Sequence, residues 1–129
     1  MKKISLLTKY IFHVINIMLI ILYLYPGSIL GWLIYGNIQK QPQITSDFFI
    51  SLNHLYAFMI LSLLGIISYI GKNIRILFIY LFVISIILEL FHALIPKRSF
   101  EYSDLFGNLL GVLIILILFN LYSFLKVDK

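Results

Sequence analysis

Four runs of about twenty apolar residues, joined by short polar connections, take up most of this chain: roughly Tyr10 to Leu30, Phe48 to Ile70, Ile76 to Ile95 and Leu105 to Leu125. A helical run of that length matches the hydrocarbon thickness of a bilayer. The expected fold class is therefore all-α, an integral membrane four-helix bundle. Pro26-Gly27 should bend or end the first span near its far end, because proline lacks the N–H a helix needs.

The polar residues leave no other solvent to choose. Only 12% of the 129 residues are charged and 62% are hydrophobic, whereas soluble domains run nearer a quarter charged and about half apolar. Four spans use up the length, so residues 1–129 read as a single membrane domain with no room for a soluble one of about 50 residues or more. The net charge of +5 is spread over segment ends rather than gathered in a stripe, which speaks against nucleic acid as a partner. The chain has no cysteine, which excludes disulfides, thiolate metal sites and lipid attachment through sulfur. Met1-Lys2-Lys3 before an apolar run could open a secretory signal, but no small-x-small cleavage site follows, and a retained first span is expected.

Lysine and arginine placement orients the bundle. With both termini cytoplasmic, Lys2, Lys3, Lys9, Lys72, Arg75, Lys126 and Lys129 lie inside, and Lys40, Lys97 and Arg98 outside. That imbalance in short loops is the positive-inside pattern. Gly71-Lys-Asn-Ile-Arg75 then joins spans two and three as an antiparallel hairpin. Tyr23, Tyr25, Trp32 and Tyr35 are expected to form an aromatic belt at the outer interface.

Within this frame the polar residues converge. His54 lies about six residues, roughly 9 Å, below the outer end of span two. Glu89 lies at a similar depth in span three, with His92 one turn above it on the same face. Asp104, Asn108 and Gly111 share a face at the outer start of span four. An ionisable group in hydrocarbon costs about 2.5–3.5 kcal/mol or more and normally faces the bundle interior or a wet cavity. A single Glu89–His54 hydrogen bond, at about 0.6 kcal/mol in membranes, is a small return for burying a carboxyl. A ligand-binding or proton-handling site is the stronger expectation. Gly107-Asn-Leu-Leu-Gly111 is a GxxxG and reads as a helix-packing motif. His13 and Asn16, at i and i+3, read as an interfacial pair near the cytoplasmic end of span one. His54, Glu89, His92 and Asp104 are acceptable metal-ligand types, but beyond a weak Glu89-x-x-His92 pair the usual spacings are missing. Neither a metal nor another cofactor is expected, and no phosphate loop or nucleophile elbow occurs.

These residues also resemble a family. Glu89-Leu-Phe-His92, Pro96-Lys-Arg98 and Asp104-Leu-Phe-Gly-Asn108-Leu-Leu-Gly111, preceded by Asn53-His54-Leu-Tyr-Ala-Phe58, are similar to the signature half of the VanZ-like family. These are small multi-pass membrane proteins named for one associated with glycopeptide (teicoplanin) resistance. The resemblance spans about residues 51–118, with His92 where the family pattern has glutamine and without the Asp-Lys pair that often precedes the histidine. It implies a role in the envelope of a bacterial cell membrane and supplies no reaction.

Joined, these readings predict an outward-opening pocket built from His54, Glu89, His92, Arg98, Asp104 and Asn108, with Gly107 and Gly111 packing the helices. Membrane lipid is the expected partner. The pocket would take an anionic or sugar-bearing lipid head group or a cell-wall-directed compound. Arg98 would grip its phosphate or carboxylate with Lys97 in support, and Asp104 at the start of span four would either only cap that helix or, as is expected here, pair with Arg98 and aim it toward Glu89. Two other classes stay open: a membrane enzyme using Glu89 with His54 or His92 as acid and base, and a structural subunit whose polar groups only assemble helices.

Overall fold

The computed structural model describes residues 2–127, which places Met1, Asp128 and Lys129, the last of them counted on the cytoplasmic side from the sequence, outside the described residues. Five helices and no strand occur among those described: α1 Lys2–Leu24, α2 Ile29–Tyr35, α3 Leu52–Tyr69, α4 Ile74–His92 and α5 Tyr102–Val127. The apolar stretches Leu6–Leu24, Leu52–Tyr69, Ile74–His92 and Tyr102–Lys126 are each long enough to cross a membrane. The shortest, 18 residues, rises about 27 Å as an α-helix.

The outside of the bundle is as apolar as its inside. Leu7, Val14, Ile21, Ile60, Ile67, Ile79, Ile86, Ile117 and Leu121, drawn from all four long helices, are 38–61% exposed. Such a surface needs lipid around it. Inside, Phe58, Leu61, Leu81 and Val112 are completely buried. The α3 helix touches each of the other long helices and packs most extensively on α5. Glycine makes that approach possible. A Cβ at Gly107 would lie 2.5 Å from the Ser51 carbonyl oxygen, and one at Gly111 would lie 2.5 Å from that of Leu55, so α5 rests on α3 main chain. From Leu6 onward the buried positions on α1 are Phe12, Asn16, Leu19 and Tyr23, spaced four, three and four apart as one helix face requires.

The breaks differ from the apolar runs in instructive ways. The first run was expected to reach Leu30. Instead α1 stops at Leu24, the chain turns through Pro26 and Gly27 (φ +106°), and the separate helix α2 follows. Ser28 caps α2 by accepting the Gly31 N–H at 2.9 Å, and Gly36 ends it in the left-handed region at φ +65°. A side chain at Gly31 would collide with the Lys40 carbonyl, so only glycine lets the segment after α2 fold back over it. Span three was expected to run close to Pro96. It ends at His92, since Ile95 precedes a proline and is held out of the α region, and Ala93 and Leu94 close tight turns onto Leu90 and Phe91. Lys97 follows in the left-handed region at φ +63°.

Candidate functional site

The last turns of α1 and α4 and the first turns of α3 and α5 meet at one end of the bundle. They bring together Tyr23, Glu89, His92, His54, Asp104 and Asn108. Glu89 and Asn108 are fully buried, His92 is 1% exposed and His54 7%. The sequence placed five of these six at one level, and the structure puts them within bonding distance of one another.

Asn108 organises the group. Its Nδ2 donates to the Ser85 carbonyl at 3.2 Å, and because a carbonyl only accepts, this fixes the amide orientation. Oδ1 therefore accepts, taking the Tyr23 hydroxyl proton at 2.7 Å and facing His54 Nδ1 at 3.1 Å. The Tyr23 hydroxyl itself stands 3.1 Å from the same nitrogen. With the tyrosine proton spent on Asn108, His54 Nδ1 is the donor, and its Nε2 faces Asp104 Oδ2 at 3.4 Å, with a lone pair when the ring is neutral. His92 repeats the pattern. Its Nε2 donates to the Tyr23 carbonyl at 3.0 Å, and its Nδ1 stands against Glu89 Oε2 at 3.2 Å.

Glu89 has two unlike oxygens. Oε1 accepts the main-chain N–H of Glu101 at 3.1 Å, satisfying the entry to α5 from another helix. Oε2 is buried without a hydrogen-bond partner. His54 Nδ1 lies 3.9 Å from it, beyond hydrogen-bond reach, so the simple Glu89–His54 bond weighed from the sequence is not made.

Two expectations about the connecting loop are corrected. Asp104 is not the cap of α5, which begins at Tyr102. It sits in the first turn, where its N–H reaches back to the Glu101 carbonyl and its carboxylate faces His54. Nor does it aim Arg98. Among the described residues Arg98 makes no ion pair within 4 Å. Its guanidinium donates from Nη2 to the carbonyls of Leu22 at 2.9 Å and Gly27 at 2.7 Å, and from Nε to that of Tyr25 at 3.3 Å. These are the open carbonyls where α1 stops, which a cation at a helix C-terminus complements. Burial pulls the guanidinium down from its ordinary value, opposed by the charges of Asp104 and Glu89 nearby.

A cavity of about 470 Å³ opens beside the cluster, lined by the α1–α2 turn, the segment after α2 and the α4–α5 loop. His92, Arg98 and Asp104 reach its wall together with Lys97, Glu101 and Gln41. His54, Glu89 and Asn108, expected as pocket residues, are not on the wall. A second cavity of about 500 Å³ lies at the other end of the bundle and includes His13, Asn16, Tyr69 and Tyr80. His13 and Asn16 are not a pair. His13 Nε2 meets the Tyr69 hydroxyl at 3.0 Å, and Asn16 Nδ2 donates to the Tyr80 hydroxyl.

Tyr23 is the residue the sequence reading misplaced. It was expected in the aromatic belt, yet it is 8% exposed and stacks on His92 with ring centroids 5.6 Å apart. Tyr25, Trp32 and Tyr35 are exposed. The Phe12-Asn16-Leu19-Tyr23 stripe, with a polar residue already on it, was the signal that set Tyr23 apart. Comparison of the chain with protein-family models, with curated proteins and with solved structures finds no match in any of the three.

Proposed function

We propose that the chain is a VanZ-like multi-pass protein of the bacterial cell membrane, whose cavity at the Arg98 end receives the polar head group of an anionic or sugar-bearing envelope amphiphile. The orientation proposed with it places both termini in the cytoplasm, because seven of the ten lysines and arginines then lie inside. The cavity then opens outward, at the level where head groups sit.

The observation that carries this reading is the lining of the cavity. At about 470 Å³ it is in the size range of small-molecule sites. Its wall holds two cations, Lys97 and Arg98, two acids, Glu101 and Asp104, and the amides of Gln39 and Gln41. Arg98 is occupied with α1 carbonyls, so in this reading the anion falls to Lys97, which is exposed and has no ion-pair partner among the described residues. The amides and acids suit hydroxyl groups of a sugar. A resistance role follows from the same chemistry if the occupied head group belongs to a glycopeptide-type compound or to the lipid such a compound attacks.

The test pairs native mass spectrometry of lipids retained on the purified protein with glycopeptide susceptibility of a bacterial host. Lys97→Glu at unchanged membrane abundance is expected to lose bound anionic lipid and to restore susceptibility. Retention of both lipid and tolerance in that variant would overturn the reading.

A further inference from the structure

The carboxylate cluster behind the cavity contains two contacts that, with neutral imidazole rings and ionised carboxyls, join groups that can only accept. His54 has its proton on Nδ1, held by Asn108 and the Tyr23 hydroxyl, and points a bare Nε2 at Asp104 Oδ2, 3.4 Å away. His92 has its proton on Nε2, held by the Tyr23 carbonyl, and points a bare Nδ1 at Glu89 Oε2, 3.2 Å away. Lone pairs at such distances repel unless something positive stands between them. Glu89 Oε2 in particular is fully buried with no hydrogen-bond partner, and a buried carboxylate oxygen left bare is strongly disfavoured.

One donor atom from each of His54, Glu89 and Asp104 lies within 4.8 Å of the other two. We propose that these three side chains, from α3, α4 and α5, hold a divalent transition-metal ion of the zinc class. Donors around a tetrahedral zinc at about 2.1 Å stand about 3.4 Å apart, which is the His54–Asp104 separation. Imidazole with carboxylates is a zinc donor set, and three protein ligands leave a fourth position open. Asp104 also lines the cavity, which gives the ion an access route and turns the open position toward whatever the cavity holds. The outer groups are those a metal site needs: Asn108 and Tyr23 fix the His54 tautomer, and the Glu101 N–H holds the other Glu89 oxygen. His92 Nδ1 stands 3.2 Å from the same Glu89 oxygen, and a proton on that nitrogen would let the ring hold the oxygen in place. A dication balances the two carboxylates in a place where hydrocarbon would otherwise penalise both.

The assignment is independent of the head-group reading and is tested by metal alone. Full-length protein in nanodiscs is stripped with chelator and titrated with Zn²⁺ against a competing chromophoric chelator, with zinc counted by mass spectrometry. One equivalent per chain is expected. His54→Gln, Glu89→Gln and Asp104→Asn should each weaken binding at least about 100-fold, while Asp47→Asn, which removes an acid outside the donor set and keeps the oxygen that accepts the Leu52 N–H, should not. Co²⁺ in place of zinc should give visible bands that His54→Gln abolishes. Zinc should also raise the unfolding midpoint of the wild type and leave that of Asp104→Asn unmoved. The amide variants cannot carry the metal but can replace a protonated carboxyl. Wild-type protein that keeps no zinc, with Glu89→Gln folded and equally stable, would show that shared protons hold the cluster and would overturn the proposal. So would equal zinc affinity in wild type and all three variants.

Discussion

Asn108→Ala removes the residue through which three helices speak to one another, and its cost can be worked from the bonds it makes. Asn108 is fully buried and links Tyr23 on α1, His54 on α3 and the Ser85 carbonyl on α4 at 2.7, 3.1 and 3.2 Å. Interhelical hydrogen bonds in membranes average about 0.6 kcal/mol each, so three contribute about 2 kcal/mol. Tyr23 and His54 can still bond to each other after the change, which holds the loss near that figure. The orphaned Ser85 carbonyl adds a further cost of about 1 kcal/mol. Asn108→Ala should therefore lower unfolding free energy by about 2–3 kcal/mol, measured by reversible unfolding in mixed micelles with helix content followed by circular dichroism. Tyr23→Phe alone should lose about 1 kcal/mol. Because the two share the 2.7 Å bond, the double variant should fall short of additivity by about 0.6 kcal/mol, up to about 1.7. A loss below about 0.5 kcal/mol for Asn108→Ala, or strict additivity, would refute the account of Asn108 as the organiser and with it the tautomer assigned to His54.

The other expectations concern packing, the loop and orientation. Gly111→Ala should destabilise by about 1–3 kcal/mol in the same unfolding assay, because its Cβ would press on α3 main chain that cannot yield. Gly36→Ala, where a side chain meets open space, should cost only the left-handed backbone penalty of about 1–2 kcal/mol and leave α3–α5 contacts intact. Arg98→Lys should not replace arginine, since one ammonium cannot serve the Leu22, Tyr25 and Gly27 carbonyls together. Hydrogen exchange at the end of α1 should quicken to the same extent in Arg98→Lys as in Arg98→Ala, and full protection in the lysine variant would count against the capping role. Single cysteines at Lys40 and Ser99 should react with an impermeant thiol reagent added outside cells, and one at Asn73 should not. The reverse pattern would invert the bundle.

What could be read from the sequence was whatever depends on one helix at a time. Four spans, the exit at Pro26-Gly27, the shared face of Glu89 and His92, and the level of His54 and Asn108 all follow from apolar length and helical period. What escaped needed knowledge of neighbours. Tyr23 looked like a belt residue because its height is interfacial, and only the packing of α1 against α3 and α4 turns it inward. Arg98 looked like a ligand grip because the carbonyls it satisfies belong to a break some 75 residues earlier. The metal-ligand spacing rules found nothing, since the three converging donors come from three helices and their separation in sequence carries no period. Helix α2 was hidden inside an apolar run that composition could not divide.

The distribution of ionisable groups along the bundle bears on what the cluster can do. From Tyr23 down to Asn16 on α1 is seven residues, about 10.5 Å of helix, and the layer between is filled by Phe58, Leu61, Leu81 and Val112, all without exposed surface. Ser62 and Ser85 are the polar side chains buried there, and neither can carry a charge. The ionisable chemistry at the Arg98 end is thus sealed from the His13–Tyr80 cavity at the other end. A conduit for ions or protons would need groups at hydrogen-bond spacing through that layer, and the two serines make no such chain: Ser85 Oγ donates to the Phe82 carbonyl and Ser62 Oγ has no hydrogen-bond partner. A site that binds from one side needs the opposite arrangement. It needs a closed floor to hold its helices at fixed distance, polar groups only where the cavity can reach or be tuned by them, and a rim of loops able to admit a ligand. The fully buried aromatic and aliphatic layer is that floor, the Asn108 network fixes the groups above it, and the α1–α2 and α4–α5 connections form the rim.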